Sequence, residues 1–529
     1  MTKLALVLGG HASLGAYTAG AASEILRALD ESRRSDTSVA VVTGSGTGGL
    51  TAALAARSLV VNPGLRPWIE RLWLDALDAR HLLNPDRPDR SSLLDPAPLE
   101  ELTLHMIAGD AAEDDRPSPA LAGRLRLGLS LVPYRDGDDA AGDGPLRGGA
   151  ATFDREAGAG ADAPAWEHVR RAALACAAVP AALPPRRLGP EDGVGGEGWY
   201  AGAGAARPRP LALARQLARL GVGEPGGQWS VVVVDPDPGA GSADGPGGGR
   251  GAGGGSPRGT AREAVSLLRA GLGTDMAGDW RDARDASERL ELLRSLARRL
   301  PEIHGRLDDP DAVGLGRHIG RLAEKVAERE ARLRGPTEEE TGDPVLRRLD
   351  ADLGRIQAHP AYEPAFRELG SRAGRTRLAK LVYVLEAASG LLGEDASRLV
   401  RISPPERGEL AGRGLAGFAG FASRSWRRHD LVAGRRDALR ALEGPLEDLV
   451  DGEPRDPEAY RPGGVRDVSA AMSPEERRRL RDRLGTEADR ALDEVAPGGW
   501  RGLLFRLARP AVRARIVDRA LDAADPPAG

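Results

Sequence analysis

The chain has 529 residues and a formal net charge of −4, from 74 basic against 78 acidic side chains. That near balance offers no global attraction to nucleic acid or to an anionic membrane, and no apolar run is long enough to span a bilayer. A single cysteine, Cys176, excludes an intramolecular disulfide and a multi-cysteine zinc site, and the eight histidines show no metal-ligand spacing, so neither a metal nor a cofactor is expected.

Met1-Thr2-Lys3 leads straight into Lys3–Leu8, an apolar run that reads as a buried strand; with no signal peptide, the chain is expected to be soluble and cytoplasmic. A turn follows, Gly9-Gly10-His11-Ala12-Ser13-Leu14-Gly15, and then a helix. Val39–Thr43 is a second buried strand that feeds Gly44-Ser45-Gly46-Thr47-Gly48-Gly49 and a helical Ala/Leu run, Leu50–Ala56. Strand, tight turn and helix make a nucleophile elbow, whose pattern is Gly-x-Ser-x-Gly. Gly44 and Gly48 hold its two glycine places, and Gly46 stands where the serine belongs.

Ala111–Arg116, Arg135–Gly149 and Ala157–Ala163 are rich in small and acidic residues and read as mobile loops. Pro236–Gly259 is a Gly/Pro/Ser tract and reads as a flexible linker or long loop. Beyond Thr260 the pattern turns helical, with apolar residues three and four apart in Arg281–Leu300, Ala312–Arg334, Thr376–Leu392 and Pro474–Glu494. Ser473-Pro-Glu-Glu476 has the form of a helix start. Phe418, Phe421 and Trp426 form an aromatic cluster, read as a packing knot, with a ligand cage as the alternative. Trp500–Pro510 is basic and amphipathic and reads as a solvated helix face, with contact to a membrane surface as the alternative. The expected partition is 1–235 as an α/β domain, 236–260 as linker and 261–529 as a helical extension.

Taken in order, the first turn, the elbow and Trp199-Tyr200-Ala201-Gly202 through Pro210-Leu211 resemble the patatin-like acyl hydrolases, a phospholipase family. The resemblance implies an oxyanion loop of the form G-G-G-x-R-G-A-Y, an elbow serine, and an aspartate in a Y-x-D-G-G/A-x-x-x-N-x-P segment. Aligned on Gly15-Ala16-Tyr17, the three loop glycines fall on Gly10, His11 and Ala12, and the arginine on Leu14. Aligned on Tyr200 and Pro210, the aspartate falls on Gly202 and the asparagine on Pro208. Arg171–Pro185 looks like the family's small-residue helix and its proline turn, and Val231–Pro238 like its late core strand. Val400–Pro404 and Leu415–Asp430 resemble the C-terminal extension of a bacterial branch. The implied fold class is α/β: a patatin-like sheet with flanking helices, followed by a mainly α-helical region.

The family chemistry has serine attack an ester carbonyl, aspartate take its proton, and backbone N–H groups hold the oxyanion. Glycine supplies neither an Oγ at position 46 nor a carboxylate at position 202. The elbow backbone itself is compatible with glycine, which adopts positive φ at little cost. Ser45 is offset by one residue, Thr47 is offset the other way and β-branched, and both read as turn residues that bond local backbone. His11 could titrate near neutral pH, but with no nucleophile or second ligand in evidence it reads as structural. Asp235-Pro236-Asp237 reads as a strand exit rather than a base. Gly10 to Gly15 has G-x-G-x-x-G spacing with Ala12 in the middle, and the second strand ends without the ribose-binding acid, so a nucleotide site is a poor reading.

The expected function is a patatin-like protein without catalysis, retained for binding or regulation, with a lipid or acyl ligand. One alternative is an acyl hydrolase or esterase with a non-standard nucleophile; another is an interaction or scaffold protein acting through its helical half. The sequence identifies no protein partner.

Overall fold

In a computed structural model the first apolar run forms strand β1 (Thr2–Gly9) and the second β2 (Thr37–Ser45). The structure describes residues 2–34, 36–82, 92, 94–109, 116–134, 149–157, 163–178, 183–202, 210–220, 228–237, 280–281, 283–290, 293, 313–334, 344–359, 362–388, 398–405, 409–413 and 418–451, with isolated residues between 456 and 486. All but the end residues of the loops expected at Ala111–Arg116, Arg135–Gly149 and Ala157–Ala163, the glycine tract from 238 on, half of Arg281–Leu300, the helix start at Ser473, the helix expected over Pro474–Glu494 apart from isolated residues, and Trp500–Pro510 lie outside those residues.

Leu4 to Leu8 are all 0% exposed, as expected of a central strand covered on both faces. β1 and β2 run parallel, and β2 runs parallel to β3 (Leu121–Tyr134). The far edge of β3 is shared by β4 (Gly149–Glu156) and β6 (Gly198–Gly202), both antiparallel to it, and β5 (Arg186–Leu188) pairs with β6. With β7 (Gln228–Val234) and β8 (Arg398–Ile402) the sheet order is β5-β6-β3-β2-β1-β7-β8. The helices α1 (Gly15–Glu31) and α2 (Gly48–Val60) follow the first two strands directly. Short helices α3 (Pro67–Arg71), α4 (Ala79–Leu82) and α5 (Ala97–Thr103) lead to β3; α6 (Ala163–Ala177) and α7 (Pro210–Leu220) complete the layers. A Cβ on Gly128 of β3 would come within 2.9 Å of Leu213 and Leu217, so α7 lies directly on the sheet.

The described residues fall into two compact units. The second lies within Ala218–Trp229 and Arg281–Arg398 and holds α8 (Val313–Arg334), α9 (Pro344–Ala358), α10 (Glu363–Arg367) and α11 (Arg372–Ala388). Its core gathers Ala323, Leu349, Leu353, Ile356, Tyr362, Phe366, Val382 and Tyr383. The helix expected over Ala312–Arg334 forms as read, and the one expected from Thr376 begins four residues earlier, at Arg372.

The first unit lies within Met1–Leu217, Ser230–Trp280 and Leu399–Gly529, so C-terminal residues belong to it. Helix α12 (Arg424–Glu443) crosses α1 in backbone contact. A Cβ on Gly20 would stand 1.9 Å from the Leu431 carbonyl oxygen, and one on Gly434 2.0 Å from that of Tyr17. Tyr17 also donates its hydroxyl to Asp437 Oδ2 at 3.0 Å. Asp235 and Asp237, at the end of β7, pair with Arg401 and Arg413, which makes them a structural strand exit. A protease nick within the Pro236–Gly259 tract should therefore leave both fragments co-eluting on size exclusion under native conditions. Separation into two folded pieces would contradict the α1–α12 packing.

Candidate functional site

The elbow forms where the sequence pattern puts it, because a β-branched strand runs into three glycines that allow a tight reversal. β2 ends at Ser45, α2 begins at Gly48, and between them Gly46 has φ +55°, the left-handed region. The first turn lies against it in backbone contact. Gly10 N–H donates to the Ser45 carbonyl at 3.1 Å, and Thr47 Oγ1 donates to the Ala12 carbonyl at 2.9 Å. A Cβ on Gly10 would lie 1.8 Å from Gly48 N, and one on Gly48 2.3 Å from the Leu8 carbonyl oxygen. Only glycine permits this approach at both places.

Other donors of the first turn are also engaged within the fold. Leu14 N–H bonds His11 O at 2.9 Å, and Gly15 N–H turns back to Ala12 and Ser13. Ala12 has φ +45°, the only positive φ at a non-glycine among the described residues. An alanine thus holds a glycine-like conformation there, at a strain of about 1–2 kcal/mol. His11 is buried within this turn. Gly15 is required for another reason: the Trp73 ring lies where its Cβ would be, at 2.0 Å.

Gly202 ends β6 and bonds Ala178 O through its N–H at 2.8 Å. A Cβ there would stand 2.2 Å from the Cys176 carbonyl oxygen. The Cys176 side chain also reaches the end of β2, with Sγ 3.8 Å from Gly44 O and 3.2 Å from Ser130 O of β3. One residue thus touches both the strand that leads into the Gly46 turn and the place of a side chain at Gly202. Burial pushes the Cys176 thiol up to about 12, so it is a packed thiol at neutral pH and not a thiolate nucleophile.

Ser45 faces away from this cluster. Thr43, two residues earlier and hence on the same face of β2, bonds Pro210 O at 3.0 Å at the start of α7, whereas Gly44 faces Ala52 of α2. Ser45 Oγ is buried and has no hydrogen-bond partner.

Beside the elbow an apolar cavity of about 20 Å³ is lined by Ala12, Thr47, Leu50 and Ala177 and by Phe418 and Phe421 from the C-terminal segment. It holds little more than one water molecule. Phe418 and Phe421 meet edge to face at 5.9 Å, and Trp426 is 0% exposed, so the aromatic cluster packs on the turns.

Sequence reasoning missed the group that fixes this packing, Arg427. It is 0% exposed and donates to the carbonyls of Trp73 (2.8 Å), Gly420 (2.9 Å), Phe421 (3.0 Å) and Leu74 (3.2 Å) and to Asp78 Oδ2 (3.0 Å). Nothing in an Arg-Arg-His-Asp run marks one arginine as buried. Ser13 adds a second tie, accepting from Gly420 N–H at 3.0 Å.

A mixed α/β sheet with a glycine-rich first turn against a strand–turn–helix elbow defines the class of this domain. The chain carries a domain matching the family model Patatin-like phospholipase over residues 6–215. No curated protein and no solved structure matches the chain. No described helix is long and apolar enough to cross a membrane.

Proposed function

We propose that the patatin-like domain does not hydrolyse esters and serves in binding or regulation, with a lipid or acyl compound as the ligand class. The observation that carries this reading is the state of positions 46 and 202. Both are glycine, and a Cβ at each would meet a backbone oxygen, at 2.3 Å from Gly10 and 2.2 Å from Cys176. The missing groups are thus matched by backbone that has closed over their places. The Gly10 N–H, which an oxyanion loop would offer to substrate, is bonded to Ser45 O. The family supplies the ligand class, and the apolar lining by Leu50, Phe418 and Phe421 agrees with it. At about 20 Å³ the cavity admits an acyl chain only if the Phe418–Phe421 pair moves aside.

The purified chain should show fluorophosphonate labelling and short-chain esterase signals no higher than a heat-denatured control. Loss of a nucleophile lowers turnover on the order of a millionfold, so the contrast with a competent enzyme is large. Labelling that maps to Ser45 would overturn the reading and establish a non-standard nucleophile.

A further inference from the structure

The second unit carries an open groove of about 1200 Å³ between α8 and α11, outside the family domain. Arg317 and Arg321 of α8 and Arg372, Arg377 and Lys380 of α11 line it, against a single carboxylate, Glu324. Arg317, Arg321 and Glu324 recur at helical spacing along α8, and Arg372, Thr376 and Lys380 along α11, so each set lies on one face of its helix. Two other arginines of this unit, Arg355 and Arg367, are paired within their own helices, with Asp352 and Glu363. Arg317, Arg321, Arg372 and Lys380 make no ion pair among the described residues. The first turn of α11 has no acidic side chain either, so its positive end adds to the field.

Gly320 forms part of the groove floor. A Cβ on it would meet nothing within 4 Å except Lys380 Nζ, at 3.6 Å. The Lys380 ammonium therefore reaches across from α11 to the backbone of α8, and the two rows of cations converge on a common space.

We propose that this groove binds a multiply charged phosphate compound. A monoanion would leave most of these cations uncompensated, whereas several phosphoryl groups match guanidinium forks and an ammonium at once. No aromatic residue lines the groove, so it lacks the stacking platform with which single-stranded nucleic acids are held. The same chemistry is offered by a free polyphosphorylated molecule and by the headgroup of a polyphosphorylated lipid. The site is independent of positions 46 and 202 and stands whether or not the first unit hydrolyses esters.

The test is a calorimetric titration of the full chain with tripolyphosphate, with sulfate as comparator at equal ionic strength. Tripolyphosphate should bind at least about tenfold more tightly, and Arg321→Ala and Lys380→Ala should each weaken it about tenfold. Gly320→Glu, whose Cβ would meet only Lys380 Nζ, at 3.6 Å, brings a carboxylate to Lys380 and should weaken it to the same degree. Arg355→Ala, which removes a cation of the same unit that lies outside the groove and pairs with Asp352, should bind like the parent and report an intact fold. Sedimentation with phosphatidylcholine vesicles carrying phosphatidylinositol bisphosphate, reversed by tripolyphosphate, would assign the lipid source; binding in solution without sedimentation would assign the free compound. Equal affinity for sulfate, or binding unchanged in Gly320→Glu and Arg321→Ala, would overturn the proposal. So would a single-stranded oligonucleotide that binds more tightly than tripolyphosphate and is lost in the same variants.

Discussion

Arg427→Ala is expected to destabilise the first unit by about 3–5 kcal/mol, the range for removing one partner of a buried, hydrogen-bonded ion pair. The arginine is 0% exposed and satisfies four carbonyls and the Asp78 carboxylate at once. Truncation takes the Arg427 guanidinium from Asp78, 4% exposed, and strands carbonyls on both the Trp73–Leu74 and the Gly420–Phe421 segments. Arg427→Lys should lie between parent and alanine, because a single ammonium with three donors cannot serve so many acceptors. Arg427→Met with Asp78→Asn should recover part of the loss, since neither side then buries a lone charge. Urea unfolding of the four proteins decides the matter. A loss below about 1 kcal/mol for Arg427→Ala, the size of an ordinary point substitution, would show that the C-terminal segment is not held by this residue.

The consequence reaches the elbow. Arg427 grips the two residues, Gly420 and Phe421, whose segment closes the cavity beside Thr47. Asp430, one turn further along α12, accepts from the N–H groups of Ala411 and Gly412 at 2.7 and 2.9 Å. Burial pushes its carboxyl up, and those bonds and His429 oppose the shift. The segment that covers the turns is thus fixed by buried polar groups rather than by apolar area alone.

What the sequence makes legible follows from what is local. β1, β2 and the elbow are continuous apolar runs ended by glycines, and each forms within a few residues of its expected place. The left-handed φ of Gly46 is likewise a local property of a one-residue reversal. Helix α9 was legible in principle: Val345, Leu349, Leu353 and Ile356 recur at helical spacing behind Pro344, but several charged residues interrupt them. α12 was not legible in the same way. Its Arg427, Asp430, Arg436 and Asp437 carry charge and give no local sign of burial, yet all four are buried, because each finds partners far away in the chain. The same non-local logic hides the closure of the site. No spacing rule announces that Gly10 presses on Gly48, or that the carbonyl of Cys176 occupies the place of a side chain at Gly202.

That closure leads to the other large effect. Gly46→Ser is expected to cost the fold about 2–4 kcal/mol, the sum of a non-glycine residue held at positive φ and an overpacked contact. The φ of +55° is strained for serine, and its Cβ would meet Gly10 O at 2.3 Å. Gly10 has little room to yield, because its N–H is bonded to Ser45 O and its Cα rests on Gly48. Gly46→Ala should lose nearly as much, which separates the cost of a Cβ from any effect of the hydroxyl. Adding Gly202→Asp should lower stability further, since its Cβ meets Cys176 O at 2.2 Å. The double variant should remain inactive toward short-chain esters even at temperatures where it is folded. A serine without its oxyanion donors lacks about 3–4 kcal/mol of transition-state stabilisation per donor, and the Gly10 donor is already committed to Ser45. Thermal unfolding measured alongside ester hydrolysis separates the two outcomes. If Gly46→Ser melts at or above the parent and the double variant hydrolyses ester, the turns open readily and the site is a dormant enzyme; if both losses appear, the backbone has closed over the place where the chemistry would occur.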